Sequence, residues 1–155
     1  MFDVKKLFQD LLLPDTTTPA KRERGIQYAT AALLLEVAKA DFAEDDKERT
    51  MAMELLRETF DLDEDRLQSV IEMAESGTEA ATDVYQFTQL VNEHYHHEDK
   101  IRLIENLWRV AYADGRLDRY EEQFIRKVAG LLYVAHGDFI KAKLDVLATL
   151  EKDRS

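Results

Sequence analysis

An internal duplication constrains this sequence more than any other feature. The chain reads Leu35-Glu36-Val37-Ala38-Lys39-Ala40-Asp41-Phe42-Ala43-Glu44-Asp45-Asp46-Lys47-Glu48, and 73 positions later Trp108-Arg109-Val110-Ala111-Tyr112-Ala113-Asp114-Gly115-Arg116-Leu117-Asp118-Arg119-Tyr120-Glu121. At that offset Val37, Ala38, Ala40, Asp41, Asp45 and Glu48 fall on Val110, Ala111, Ala113, Asp114, Asp118 and Glu121. Each copy is an apolar helix ending, an Asp, a short break, a second Asp, and a Glu three residues on. A chain that repeats a unit can bury the apolar face of one copy against that of the other.

Only five Gly and two Pro interrupt the 155 residues, and apolar side chains recur at helical spacing almost throughout. The pattern predicts an all-α fold. Val4, Leu7, Phe8, Leu11 and Leu12 lie on one face of an amphipathic helix that stops at Pro14, and residues 1–20 are read as that helix and a linker. Residues 21–152 form the helical domain, with three-helix repeats over about 22–76 and 98–150 related by an approximate two-fold axis. In the first repeat a helix with Ile26, Tyr28, Ala31, Leu34 and Leu35 is followed by one with Met51, Leu55 and Leu56. A third, capped by Asp63, ends near Ser76-Gly77. A connecting helix carries Val84, Phe87, Leu90 and Val91. The second repeat carries Ile101, Ile104, Leu107 and Trp108, then Phe124, Ile125, Val128 and Leu131. Gly137-Asp138 reads as a stop and a cap opening the last helix, with Phe139, Leu144 and Leu147 inward. Trp108, Tyr112 and Tyr133 have core spacing.

The formal net charge of −11 argues against binding to a phosphate backbone, where affinity comes from cationic side chains displacing counterions. It leaves divalent cations, basic partners or plain solubility. There is no cysteine, which excludes disulfides, zinc-thiolate sites and thiol nucleophiles. The run Leu11-Leu12-Leu13 follows charged residues and ends at Pro14, unlike a signal peptide. No run approaches the roughly 20 apolar residues of a membrane span, so a cytoplasmic location is expected.

The repeated carboxylates, Asp41, Asp45 and Glu48 with Asp114, Asp118 and Glu121, are the one constellation with plausible chemistry. Capping alone accounts for four of them. Asp45 with Glu48, and Asp118 with Glu121, have capping-box spacing, the first accepting from a backbone N–H and the second reaching back. Asp41 and Asp114 instead fall at C-terminal helix ends, where carbonyls already make the potential negative. Either each bonds its own turn, or a hard divalent cation such as calcium or magnesium offsets the repulsion. The break is too short for an EF-hand loop, so a cation site would need completing from the other repeat or from Glu36. The copies differ: Gly115 follows Asp114 where Phe42 follows Asp41, and Glu44 and Asp46 stand where the second copy has Leu117 and Arg119.

His94, His96 and His97, followed by Glu98 and Asp99, invite a transition-metal reading, but they fall between two predicted helices and read first as a solvated junction. No Gly-rich phosphate loop, nucleophile elbow or His-Glu-x-x-His motif is present, so no enzyme is expected.

The segments Leu35 to Asp41 and Val110 to Glu121, with their Ala-Asp-Gly…Asp…Glu element, resemble the tellurite-resistance protein TerB family. That group is itself similar to the N-terminal cytoplasmic domain of the co-chaperone DjlA. The likeness covers about residues 22–150. It implies a helical bundle of two similar halves, acidic residues gathered near the symmetry axis, metal-ion binding or sensing, and stress-associated, often membrane-proximal, complexes. By motif match the metal residues would be Asp41, Asp45, Glu48, Asp114, Asp118 and Glu121. The expectation is a cytoplasmic interaction module that binds or senses a divalent cation. The alternative is a metal-independent protein–protein module, its acids serving as caps and as docking points for a basic partner.

Overall fold

The computed structural model describes residues 19–39, 46–80 and 84–154. Among them are seven helices and no strand: α1 Pro19–Lys39, α2 Asp46–Phe60, α3 Glu64–Ala80, α4 Val84–His94, α5 His97–Ala111, α6 Arg119–Leu131 and α7 His136–Arg154. Asp41 and Asp45 lie outside the described residues, as does the expected helix over residues 1–13.

Helix α1 is the centre of the molecule. Every residue from Gly25 to Leu35 is buried, so the helix has no solvent face along that stretch. A helix buried on all sides belongs in the middle of a bundle; its two buried polar side chains are hydrogen bonded, Gln27 to Arg66 and Thr30 to Tyr95, and Ala29, Ala31 and Ala32 let neighbours approach closely. Helices α2, α3, α4, α5 and α6 all pack on it. Helix α5 plays the matching part for the second half. It packs on α1, α2, α6 and α7, burying Leu103, Ile104, Leu107, Trp108, Val110 and Ala111. So α1 packs on α2 and α3 as α5 packs on α6 and α7, and α1 and α5 pack on each other.

Several boundaries follow the sequence signals. Asp63 caps α3, its Oδ1 accepting from the Arg66 N–H at 2.7 Å. The connecting helix α4 buries Phe87, Leu90 and Val91. Other boundaries differ. Ser76-Gly77 does not stop α3, which continues to Ala80. The last helix opens at His136, so Gly137 and Asp138 lie in its first turn. The chain between α6 and α7 turns earlier, at Tyr133, which adopts a left-handed φ of 60°. Its N–H donates to the Gly130 carbonyl at 3.1 Å and that of Val134 to Ala129 at 2.9 Å. This is the paired bond pattern that ends helices at a left-handed residue, usually glycine. Tyr133 is thereby turned outward and is 82% exposed, not core. Leu144 is also exposed: α7 buries the stripe Phe139, Ala142 and Val146, and Leu144 falls beside it.

Candidate functional site

The second acidic break is described in full. Helix α5 ends at Ala111, and the chain turns through Tyr112 to Gly115. Gly115 takes a φ of 85°, and its N–H donates to the Tyr112 carbonyl at 2.9 Å. A side chain is strained there, which is what Gly in this copy permits. Asp114 sits three residues beyond the last helical residue, and its Oδ1 accepts from the Arg116 N–H at 3.0 Å. That bond is an Asx turn, and it gives the carboxylate a donor at a helix end that is otherwise electrostatically unfavourable.

Asp118 follows in extended conformation as the N-cap of α6. Its Oδ1 accepts from the Tyr120 N–H at 2.7 Å, and its own N–H donates to Glu121 Oε1 at 3.1 Å. The capping box read from the spacing is therefore formed. Replacing Asp118 with alanine is expected to lower stability by about 1 kcal/mol, measured by urea unfolding. A change indistinguishable from zero would mean the cap contributes nothing.

Glu121 is 1% exposed and Glu48, its counterpart in α2, is 0% exposed. Both are buried, which capping-box spacing alone does not signal. Glu36 is exposed on α1. Of the six carboxylates expected at a metal site, the structure describes Glu48, Asp114, Asp118 and Glu121, while Asp41 and Asp45 lie outside the described residues. Among the described residues no three His, Asp or Glu side chains converge on a point where a metal ion could sit.

The histidines are separated by the fold. His94 ends α4 and His97 opens α5, so they do not share a helical face. His96 and His97 are exposed, with His97 Nε2 lying 3.7 Å from Asp138 Oδ2 on α7. His94 is half-buried.

Sequence reading did not reveal a polar cleft of about 670 Å³ between α5 and the C-terminal end of α2. Phe60, Tyr95, Asp99, Arg102, Asn106 and Arg109 line it. Its charges are arranged in local ion pairs, Arg102 with Asp99 at 3.0 Å and Arg109 with Glu105 at 3.6 Å, and Arg109 also donates to Asn106 Oδ1 at 2.6 Å. At the base, the Tyr95 and Thr30 hydroxyls are hydrogen bonded at 3.1 Å. Burial pushes the Tyr95 hydroxyl above its ordinary pKa, the charge of Asp99 adds to the shift, and the bond to Thr30 opposes it. The residues spaced Asp99, Arg102, Asn106 and Arg109 form one stripe of α5. In sequence that stripe reads as an ordinary solvated face, and only the position of α2 makes it one wall of a cleft.

Comparison with curated proteins and with solved structures returns no match. A family model does match: that of the tellurite resistance protein TerB, over residues 27–144. The matched span takes in both acidic breaks and the helices on either side of them, from within α1 to within α7. With most of its length and both copies of its repeated motif inside that match, the chain belongs to the TerB family.

Proposed function

We propose that this chain is a protein-interaction module, not a catalyst, and that the acids of its two breaks act first as turn and cap residues. One observation carries this reading. In the described break each of the three carboxylates already accepts a backbone N–H of its own chain: Asp114 from Arg116, Asp118 from Tyr120, and Glu121 from Asp118. These bonds explain why Asp, Asp and Glu stand at those positions without any ligand. The net charge of −11 points to a basic protein partner and away from nucleic acid. The reading places the module in the cytoplasm, in a stress-associated complex. No helix among the described residues is long and apolar enough to cross a membrane.

A second reading, that the breaks bind or sense calcium or magnesium, is favoured by a separate observation. Glu48 and Glu121 bury a carboxylate at matched places in the two copies, and buried carboxylates are commonly paired or metal-bound. Asp41, Asp45, Asp114 and Asp118 would then supply the outer oxygens of the two sites. Titration with either metal alone, followed by calorimetry and thermal unfolding, separates the readings. The cap reading expects no saturable heat and no shift in Tm at millimolar metal. Stabilisation of about 2.7 kcal/mol at a hundred times Kd, abolished by Asp41→Asn with Asp114→Asn, would replace it with the cation reading. Neutralising Glu44, Asp45 and Asp46 to their amides should release a basic partner. Undiminished binding after that change would remove the docking role.

The proposal treats the two halves as copies related by an approximate two-fold axis. Its support is the matched packing of α1 on α2 and α3 and of α5 on α6 and α7, together with the contact of α1 with α5.

A further inference from the structure

The polar groups that line the cleft between α5 and the end of α2 are unequally engaged. Most acceptors are taken. Asp99 Oδ1 accepts from Arg102 Nη1 at 3.0 Å, and Oδ2 accepts from the His96 N–H at 3.2 Å. Asn106 Oδ1 accepts from Arg109 Nη1 at 2.6 Å. Glu105 is the exception, its Oε2 lying 3.6 Å from Arg109 Nη2, an ion pair beyond hydrogen-bond length.

Donors are in surplus. A guanidinium carries five N–H groups in a planar fork. Arg102 and Arg109 each commit one of them to a hydrogen bond among the described residues. At the base of the cleft the Tyr95 and Thr30 hydroxyls share one bond, so one O–H of the two remains to donate. Burial holds the Tyr95 hydroxyl above its ordinary pKa, which keeps it protonated at neutral pH. A cleft with engaged acceptors and surplus donors suits a ligand that brings oxygens without hydrogens.

We infer that this cleft binds a small organic anion, a carboxylate or a phosphate ester, with its oxygens on Arg109 and Arg102 and its apolar body against Phe60 and Leu103. The inference is independent of either reading of the acidic breaks. Arg109 is the main anchor. Its side chain is 35% exposed against 68% for Arg102, and charges attract more strongly where less water surrounds them. Asn106 and Glu105 hold its guanidinium in place, and the fork matches the paired oxygens of a carboxylate or phosphate. The volume of about 670 Å³ lies within the range of small-molecule pockets, roughly 300–1,000 Å³. From Asp99 to Arg109 the wall runs ten residues along α5, or about 15 Å at helical rise, enough for an anionic head and an apolar body. The net charge of −11 does not oppose this, because exposed charges farther than about 8 Å are largely screened at physiological salt. Within the lining, the two arginines balance Asp99 and Glu105. Surplus hydrogen-bond donors, not net charge, set the preference.

Titration of the isotope-labelled full chain with phenylbutyrate and, separately, with phenyl phosphate tests this through its amide resonances. At millimolar concentration at least one of the two should shift the amides of Phe60, Leu103 and Asn106 saturably. The tighter of them tells which oxyanion the cleft takes. Phenylbutyramide, which has the same apolar body and no charge, should bind about tenfold more weakly than the better anion. Arg109→Gln should weaken anion binding about tenfold. Glu105→Gln removes the opposing charge and should tighten it about twofold. The opposite signs guard against a misfolded variant, since a damaged cleft does not bind more tightly. No saturable shift with either anion, equal binding of the amide, or weaker binding in Glu105→Gln would overturn the inference.

Discussion

Replacing Trp108 with alanine lowers stability by about 3–5 kcal/mol, the range for truncating a buried large aromatic side chain. At about 2–4 °C per kcal/mol for a chain of this size, the thermal midpoint falls by roughly 10 °C. Trp108 is fully buried and joins α5 to α7. Its ring centroid lies 5.2 Å from that of Phe139 on α7 and 6.0 Å from that of Tyr112. The ammonium of Lys143 sits 5.3 Å above the ring, adding a cation–π attraction of about 0.5–2 kcal/mol. The indole N–H is buried and makes no hydrogen bond among the described residues. Loss of the side chain therefore removes packing and the cation contact, and no hydrogen bond. It follows that Trp108→Phe keeps much of the stability, losing volume but leaving no orphaned polar group. Far-UV circular dichroism during urea unfolding measures both, since the single Trp cannot serve as a probe in its own absence. A loss below about 1 kcal/mol for the alanine variant would contradict the packing of α7 on α5 through this ring.

That the described residues form helices and no strand, and where α3 and α6 are capped, could be read from the sequence because each is a local signal. Asp63, and Asp118 with Glu121, announce helix starts by residue type and spacing alone, and the structure forms those bonds. The apolar face of α1, with Ile26, Tyr28, Ala31, Leu34 and Leu35, is legible in the spacing, but the burial of its other side, with Gln27 and Thr30, is not. The stop at Tyr133 was not legible: a left-handed turn is written in sequence as glycine, and a tyrosine held there by the Gly130 and Ala129 carbonyls leaves no local mark. Gly137 therefore drew the expected stop to itself, although it lies inside α7. Asp114 was legible as an anomaly but not in its resolution, since two outcomes, a cation or an Asx turn, follow from the same residue, and the Arg116 N–H supplies the second. The cleft was wholly hidden. Asp99, Arg102, Asn106 and Arg109 look like any charged helix face until the end of α2 is placed beside them.

Helices α1 and α5 are unequally covered, and an exchange of matched residues measures the difference. Ala29 on α1 stands 73 residues before Arg102 on α5. Ala29 is fully buried, whereas the Arg102 side chain is 68% exposed and paired with Asp99. Giving α1 the residue that α5 carries, Ala29→Arg, forces a guanidinium into a position surrounded by packed helices. The expected cost is about 3–5 kcal/mol, the scale for an uncompensated buried charge, with overpacking adding to it. The reciprocal change, Arg102→Ala, removes an exposed ion pair, and such pairs are worth about 0–1 kcal/mol. Urea unfolding of the two variants should thus give a strongly unequal pair of losses, although the substitutions swap the same two residue types at matched positions. Equal losses would mean that α1 and α5 are covered alike. A large loss for Ala29→Arg alone identifies α1 as the helix the bundle is built around, and leaves the charged stripe of α5 available for contacts made outside the core.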